Sequence, residues 1–198
     1  MAEPWYEIID AAEQDWDFIL EMATTASIFT FNALRSTSAE RAEFMRREFS
    51  SLRLWVRQGK YRFLLARDRE LDKPVGYLLL NLYGMDDLGR RQTFVEDIGA
   101  LQEYWGRGIG HALFDHATEV TASLGIDFMG GEVAGNNPRW QAALRNRFEL
   151  EAYRVVRACT PRGQEILDRC KQTVKAHEEL QEQLKARQEK RARRRQQS

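Results

Sequence analysis

Hydrophobic and polar positions along the chain fall into recurring helical and strand patterns. Trp5 to Asp10 reads as a short strand, and from Gln14 or Asp15 onward Trp16, Ile19, Leu20 and Ala23 recur at helical spacing. Residues 27–37 break that pattern with a loop or broken helix rich in aromatic and hydroxyl side chains. Thr37 or Ser38 then opens a second helix, with Glu40 near its third position as a capping partner. Phe44, Met45, Phe49, Leu52 and Val56 form its apolar stripe, and Gly59 ends it. Three strands follow in series, Tyr61–Arg67, Val75–Tyr83 and Thr93–Leu101, separated by a charged turn and by the polar loop 84–91. The middle one is almost continuously apolar, as a central strand is.

The second half repeats the alternation once more. A helix from Arg107 to Leu124 places Ile109, Leu113, Ala117, Val120 and Leu124 on one face, with Gly125 as its cap. A strand over Ile126–Val133, a turn at Gly135–Pro138, a short helix over Arg139–Asn146 and a strand over Leu150–Ala158 complete the order β-α-α-β-β-β-α-β-α-β. That order predicts an α/β fold with a mixed sheet, antiparallel at first and then extended by a β-α-β crossover. Beyond Gly163 there is no glycine or proline, so residues 163–198 read as one long charged helix. Its seam of Leu167, Cys170, Val174, His177, Leu180 and Leu184 lasts barely two heptads, short for a coiled coil. The terminus from Lys190 is expected to fray. The chain therefore divides into a domain over residues 1–160 and a charged helix with a basic tail over 161–198.

Composition narrows the setting. At 198 residues, 43% apolar and 11% aromatic, the chain can bury one ordinary core. A mean hydropathy of −0.58 and no long apolar run argue against a membrane span. The acidic start, Met1 to Glu7, holds no apolar signal core, which points to the cytoplasm. Cys159 and Cys170 match neither a disulfide framework nor a zinc spacing, so no metal is expected. The zero net charge hides an asymmetry: residues 171–198 carry nine Lys/Arg against four Asp/Glu, and the preceding residues 21 against 26.

The chemistry concentrates in Glu103–Phe114. Gly106, Gly108 and Gly110 strip side chains from a turn that leads directly into the helix. Such a turn can adopt positive φ, and the helix start aims unpaired N–H groups and a positive dipole end at whatever sits there. It is suited to a pyrophosphate. The spacing G-x-G-x-G is not the dinucleotide G-x-G-x-x-G, and His111-Ala112 stands where a P-loop would carry its Lys and Ser/Thr.

The stretch Trp105-Gly106-Arg107-Gly108-Ile109-Gly110 resembles the acetyl-CoA motif [Q/R]-x-x-G-x-[G/A] of the GCN5-related N-acetyltransferase (GNAT) superfamily, with Trp105 in place of the usual Gln or Arg. The resemblance spans roughly residues 5–158 and implies the GNAT-like acyl-CoA N-acyltransferase fold. It implies acetyl-CoA as cosubstrate and transfer of its acetyl group to a primary amine in a ternary complex. In that family the strand before the turn pairs its exposed backbone with the pantetheine arm. Here that segment is Ile98-Gly99-Ala100, with Gly99 at the place of a β-bulge and an amide near Ile98 as oxyanion donor. The implied cofactor contacts are then Ile98, Gly99, Ala100, Trp105, Gly106, Arg107, Gly108, Ile109, Gly110, His111 and Asn136.

Val95-Glu96-Asp97-Ile98 resembles the Leu-Glu-Asp-Phe stretch of spermidine/spermine N-acetyltransferases, whose Glu is the proposed base. On that match Glu96 is the catalytic candidate, and strand alternation points Asp97 to the opposite face. The family pattern N-x-x-A-x-x-L-Y-x-x-x-G-F, set on Asn136 and Phe148, places Ala143 at the acid-bearing Tyr and Arg147 at the Gly. The proton for the leaving thiolate is then left to Tyr104, Tyr153 or water. Phe29 and Phe31 from the 27–37 loop, with Asp86 and Asp87 from the 84–90 loop, are expected to line an aromatic, acidic acceptor site suited to a cationic amine.

Other readings remain beside this one. The missing Tyr and the unusual Trp105 would also suit a CoA-binding module without catalysis. The basic tail 185–198 invites a nucleic-acid or ribosome-associated role, but it has no aromatic residue to stack on bases. It serves equally as a docking helix for a second protomer, since the superfamily often dimerises.

Overall fold

The computed structural model describes residues 4–25, 38–133, 145–151, 156–172, 175 and 179. Phe29, Phe31, Asn136, Ala143, Tyr153 and the tail from 181 lie outside them. Five strands form one sheet in sequential order: β1 Tyr6–Asp10, β2 Tyr61–Asp68, β3 Lys73–Met85, β4 Arg91–Ala100 and β5 Met129–Gly131. The first four pair antiparallel, and β5 joins β4 in parallel after a crossover through α3, Ile109–Ser123. Helices α1, Trp16–Thr25, and α2, Ser38–Arg57, lie between β1 and β2 in sequence. A fourth helix, α4, runs over residues 161–172.

The apolar character of β2 and β3 has a simple cause: both faces of these strands are covered. Leu64, Ala66, Leu78 and Leu80 pack with Ile109, Leu113, Ala117 and Val120 of α3. The alternate residues Phe63, Leu65, Tyr77 and Leu79 pack with Trp16, Ile19 and Met22 of α1 and Met45, Phe49 and Leu52 of α2. The result is three layers, with helices on both sides of the sheet. Trp16 meets Phe49 and Phe63 edge-on at 5.3 and 5.2 Å. Each such fully buried side chain contributes roughly 1.5–3 kcal/mol.

Phe44 and Leu124, expected on apolar stripes, are instead 42% and 41% exposed. Phe44 adjoins Met45, and successive helix positions turn by about 100°, so the face of α2 that buries Met45 leaves Phe44 to the side; the Phe44 ring is covered by the Arg41 and Arg47 guanidinium groups. Leu124 lies just past the end of α3. A buried ion pair joins the start of α1 to β2: Asp15 accepts from Arg67 Nη2 at 2.7 Å and from the Ala12 amide at 2.8 Å.

The second half is more irregular than the pattern suggested. The strand expected over 126–133 pairs only at Met129–Gly131. Residues 150, 151 and 156–158 of the expected last strand are not in strand conformation, and most of the short helix over 139–146 lies outside the described residues. Leu167 and Cys170 of α4 are buried, and Arg169 approaches Glu40 of α2 to 3.9 Å. Among the described residues no helix is long and apolar enough to cross a membrane.

Candidate active site

The open edge of β4 organises the site. β5 pairs with Thr93, Phe94 and Val95, and among the described residues no strand pairs with the rest of β4 on that side. On the other side Leu101 N donates to Val75 O at 2.9 Å. Antiparallel ladders alternate, so Asp97, Gly99 and Leu101 turn their backbone groups to β3. Ile98 and Ala100 turn theirs to the open edge. Two side chains meet that edge: Asp97 Oδ1 accepts from Ile98 N at 2.9 Å, and Trp105 Nε1 donates to Ala100 O at 2.8 Å.

Gly99 is not the bulge. It pairs in register with Tyr77, and the ladder slips at Glu96, where Leu79 faces Asp97 but Leu80 faces Val95. The Tyr77 ring crowds position 99: its Cε1 would lie 3.1 Å from an added Cβ, so the ring would have to give by a few tenths of an ångström.

The slip also decides which way the two carboxylates point. Val95 and Ile98 both pack on the α3 side, although three residues apart. The extra residue of the bulge makes this compatible with a two-residue alternation. Glu96 and Asp97 therefore share the opposite face, correcting the expectation that the pair would split. Glu96 is exposed, and its Oε1 accepts from Asn81 Nδ2 at 3.0 Å; the same nitrogen lies 3.1 Å from the Tyr61 hydroxyl. Burial, and then the Glu96 charge and hydrogen bond, push the Tyr61 hydroxyl above its ordinary range. Asp97 accepts from Tyr77 Oη at 2.6 Å. Burial pushes the Asp97 carboxyl up, against the Tyr77 and Ile98 hydrogen bonds that favour its ionised form. Burial and the nearby Asp97 hold the Tyr77 hydroxyl well above its ordinary value.

The glycine turn sits beside the open edge. Gly106 and Gly108 have φ of 77° and 88°, Gly108 being the residue just before α3, and Gly110 is its second residue. An added Cβ at any of the three would meet nothing within 4 Å among the described residues, which leave the space above the turn open. Gly76 of β3 brings turn and edge together: a Cβ there would sit 2.9 Å from both Gly99 O and Ile109 Cγ2. Backbone amides, open space and a helix start suit a pyrophosphate, and the unpaired edge suits an extended amide-bearing arm.

Several predicted side chains serve other ends. Arg107 turns back over the Trp5 ring, 4.0 Å away, and the Tyr104 ring, 5.0 Å away, so only its backbone faces the turn. Tyr104 is buried and donates to Asp68 at 3.1 Å, which removes it as the acid for the leaving thiolate. His111 contacts Asn146 Oδ1 at 2.6 Å and Asp115 at 3.3 Å from an exposed position. Asp86 caps its own loop, accepting from the Leu88 and Arg90 amides and the Arg90 side chain, while Asp87 is exposed on the turn. Phe148 packs edge-on against Phe114 of α3. Among the described residues no cluster of His, Cys, Asp or Glu could hold a metal ion. Asn81, Tyr61 and Gly76 escaped the sequence reading; a polar residue and a glycine inside the apolar run of β3 were the available signals.

Comparison with known families matches residues 21–148, well over half of the chain, to the acetyltransferase (GNAT) family. Comparison with curated proteins gives no match. Among solved structures, a Pyrococcus furiosus protein described as an acetyl transferase aligns at 22% identity and a TM-score of 0.60, over 77% of this chain and 99% of that one. An aminoglycoside 6'-N-acetyltransferase of Acinetobacter haemolyticus aligns at 15% identity and a TM-score of 0.57, over 78% and 97%. Glucosamine-6-phosphate N-acetyltransferase of Arabidopsis thaliana aligns at 10% and 0.55, over 78% and 99%. At these identities the structural likeness speaks for the fold alone.

Proposed function

The chain belongs to the acetyltransferase (GNAT) family, and from that premise we propose that it moves the acetyl group of acetyl-CoA to a primary amine in a ternary complex. The observation that carries this reading is the juxtaposition of the glycine turn, a β4 edge that among the described residues no strand pairs beyond Val95, and an exposed carboxylate, Glu96, on that strand. Acetyl-CoA supplies an activated thioester. The amides of Gly106 to Gly110 hold its pyrophosphate, and the edge at Ile98 and Ala100 pairs with its extended arm. The Ile98 amide, once it leaves the Asp97 carboxylate, is placed to donate to the thioester oxygen.

Glu96 takes one proton from the incoming ammonium, directly or through water. The amine nitrogen then bonds to the carbonyl carbon as the C–S bond breaks. The second proton lost by the nitrogen goes to the thiolate, through Tyr153 or water now that Tyr104 is committed to Asp68. Exposed Glu96, the Trp55–Tyr61 ring stack at 5.5 Å, Asp87 and the Phe29 and Phe31 segment together favour a cationic acceptor. Asp86 serves the loop instead. The boundary at residue 160, the homodimer and the cytoplasmic setting stay part of this proposal.

Release of free thiol from acetyl-CoA over a panel of polyamines, amino acids, aminoglycosides and peptides tests it. With an accepted amine, Glu96→Gln is expected to lower kcat about a hundredfold or more and leave the CoA Kd unchanged. A variant that keeps the wild-type rate would remove Glu96 as the base.

A further inference from the structure

We propose that Asn81, backed by Tyr61, is a positioning residue that turns the Glu96 carboxylate toward the acceptor amine. The proposal rests on the reading of Glu96 as the proton acceptor. Asn81 interrupts the apolar run of β3 just before a second slip in the ladder against β4, between Asn81 and Gly84. Its Oδ1 accepts from the Tyr83 amide at 2.9 Å. That bond settles the orientation of the side-chain amide, because a backbone N–H can only be met by the oxygen. Both hydrogens on Nδ2 are then directed away from the strand's own backbone, toward Glu96 Oε1 at 3.0 Å and the Tyr61 hydroxyl at 3.1 Å. The Tyr61 ring is itself held by Trp55, stacked at 5.5 Å with the planes 20° apart.

The consequence is directional. An ionised carboxylate only accepts hydrogen bonds, at about four sites over its two oxygens, so a fixed donor on Oε1 occupies one site there and holds the carboxylate's orientation. Oε2 is the oxygen that Asn81 leaves free to receive the proton. An exposed glutamate without such a partner spreads over several rotamers, most of which aim away from any one acceptor position. Asn81 therefore transmits the rigidity of β3 to the one flexible group the chemistry needs, while making no contact with the reacting atoms.

The decisive variant is Asn81→Asp. It keeps an oxygen for the Tyr83 amide, so the strand is preserved, but replaces the donor to Glu96 by an acceptor. It is expected to lower kcat about tenfold or more, the scale of losing a hydrogen bond to a charged group, with KM for acetyl-CoA and the CoA Kd unchanged. Tyr61→Phe is expected to give a smaller fall of the same kind. Adding Asn81→Asp to Glu96→Gln is expected to cost nothing further, because the group to be positioned is already gone. A readout free of activity follows from Tyr61, whose hydroxyl is raised first by burial and then by Glu96. Tyrosinate absorbance is expected to show one tyrosine ionising at lower pH in Glu96→Gln, and that tyrosine missing in Tyr61→Phe. Asn81→Asp at the wild-type kcat beside a slow Glu96→Gln overturns this proposal alone. Glu96→Gln at full rate overturns the base reading and this proposal with it. An unmoved Tyr61 titration breaks the Tyr61–Glu96 link itself.

Discussion

Replacing Gly110 by Ala separates what the fold needs at the glycine turn from what a ligand needs. Gly110 is the second residue of α3, its φ is not positive, and an added Cβ would meet nothing within 4 Å. Nothing among the described residues therefore demands a glycine there. A glycine inside a helix costs roughly 0.5–1 kcal/mol relative to alanine, so Gly110→Ala is expected to stabilise the fold by a few tenths up to about that amount, the first turn lying at the low end. The methyl group would project into the space assigned to the pyrophosphate, and a loss of tenfold in CoA affinity corresponds to about 1.4 kcal/mol. Gly108→Ala gives the contrasting outcome. With φ at 88° the alanine is strained, and roughly 1–2 kcal/mol of stability should be lost together with binding. Urea unfolding at equal m-values reads the first quantity and calorimetric titration with CoA the second. A Gly110→Ala protein of raised stability that binds CoA within twofold of the parent would refute the cradle. One that is destabilised by more than about 1 kcal/mol would show that the space above the turn is not open.

Asp97 gives a prediction in pH. Burial raises its carboxyl above the ordinary value, so the folded chain still holds a proton that the unfolded chain has already released. The resulting penalty is absent below the ordinary carboxylate range, grows as pH rises through the raised value and is complete above it. Asp97→Asn should therefore gain stability relative to the parent as pH rises from acid toward neutral, and a constant difference between the two urea midpoints would contradict this. Asp15→Ala leaves the Arg67 guanidinium, 13% exposed, without its principal partner; a loss of about 3 kcal/mol is expected by thermal or urea unfolding. Asp15→Asn, which keeps an acceptor for the Ala12 amide, should lose less.

Much of the order of elements was legible in the chain because helices and strands repeat their apolar positions locally. Ile109, Leu113, Ala117 and Val120 describe α3 before any partner is known, and the almost continuous apolar run of β3 announces a strand covered on both faces. Stripe edges were less legible. Phe44 and Met45 are adjacent, and only the position of the sheet decides which of them turns inward. The short extent of β5 was hidden as well, because strand length depends on how much of the neighbouring strand is there to pair with.

The candidate site divides along the same line. The sequence by itself determined the turn: three glycines at alternate positions before an amphipathic helix permit positive φ and a bare helix start wherever they fold. It also placed Glu96 on the strand leading into that turn. Only the tertiary structure decided that the ladder slips at Glu96 rather than at Gly99, because a bulge is a mismatch between two strands and neither strand encodes it alone. That one extra residue puts Glu96 and Asp97 on the same face. Tertiary packing likewise drew Arg107 back onto Trp5 and Tyr104, tied Tyr104 to Asp68, and brought Asn81 against Glu96. Apart from that of Arg107 on Tyr104, each of these contacts joins residues far apart in sequence, which local periodicity does not record.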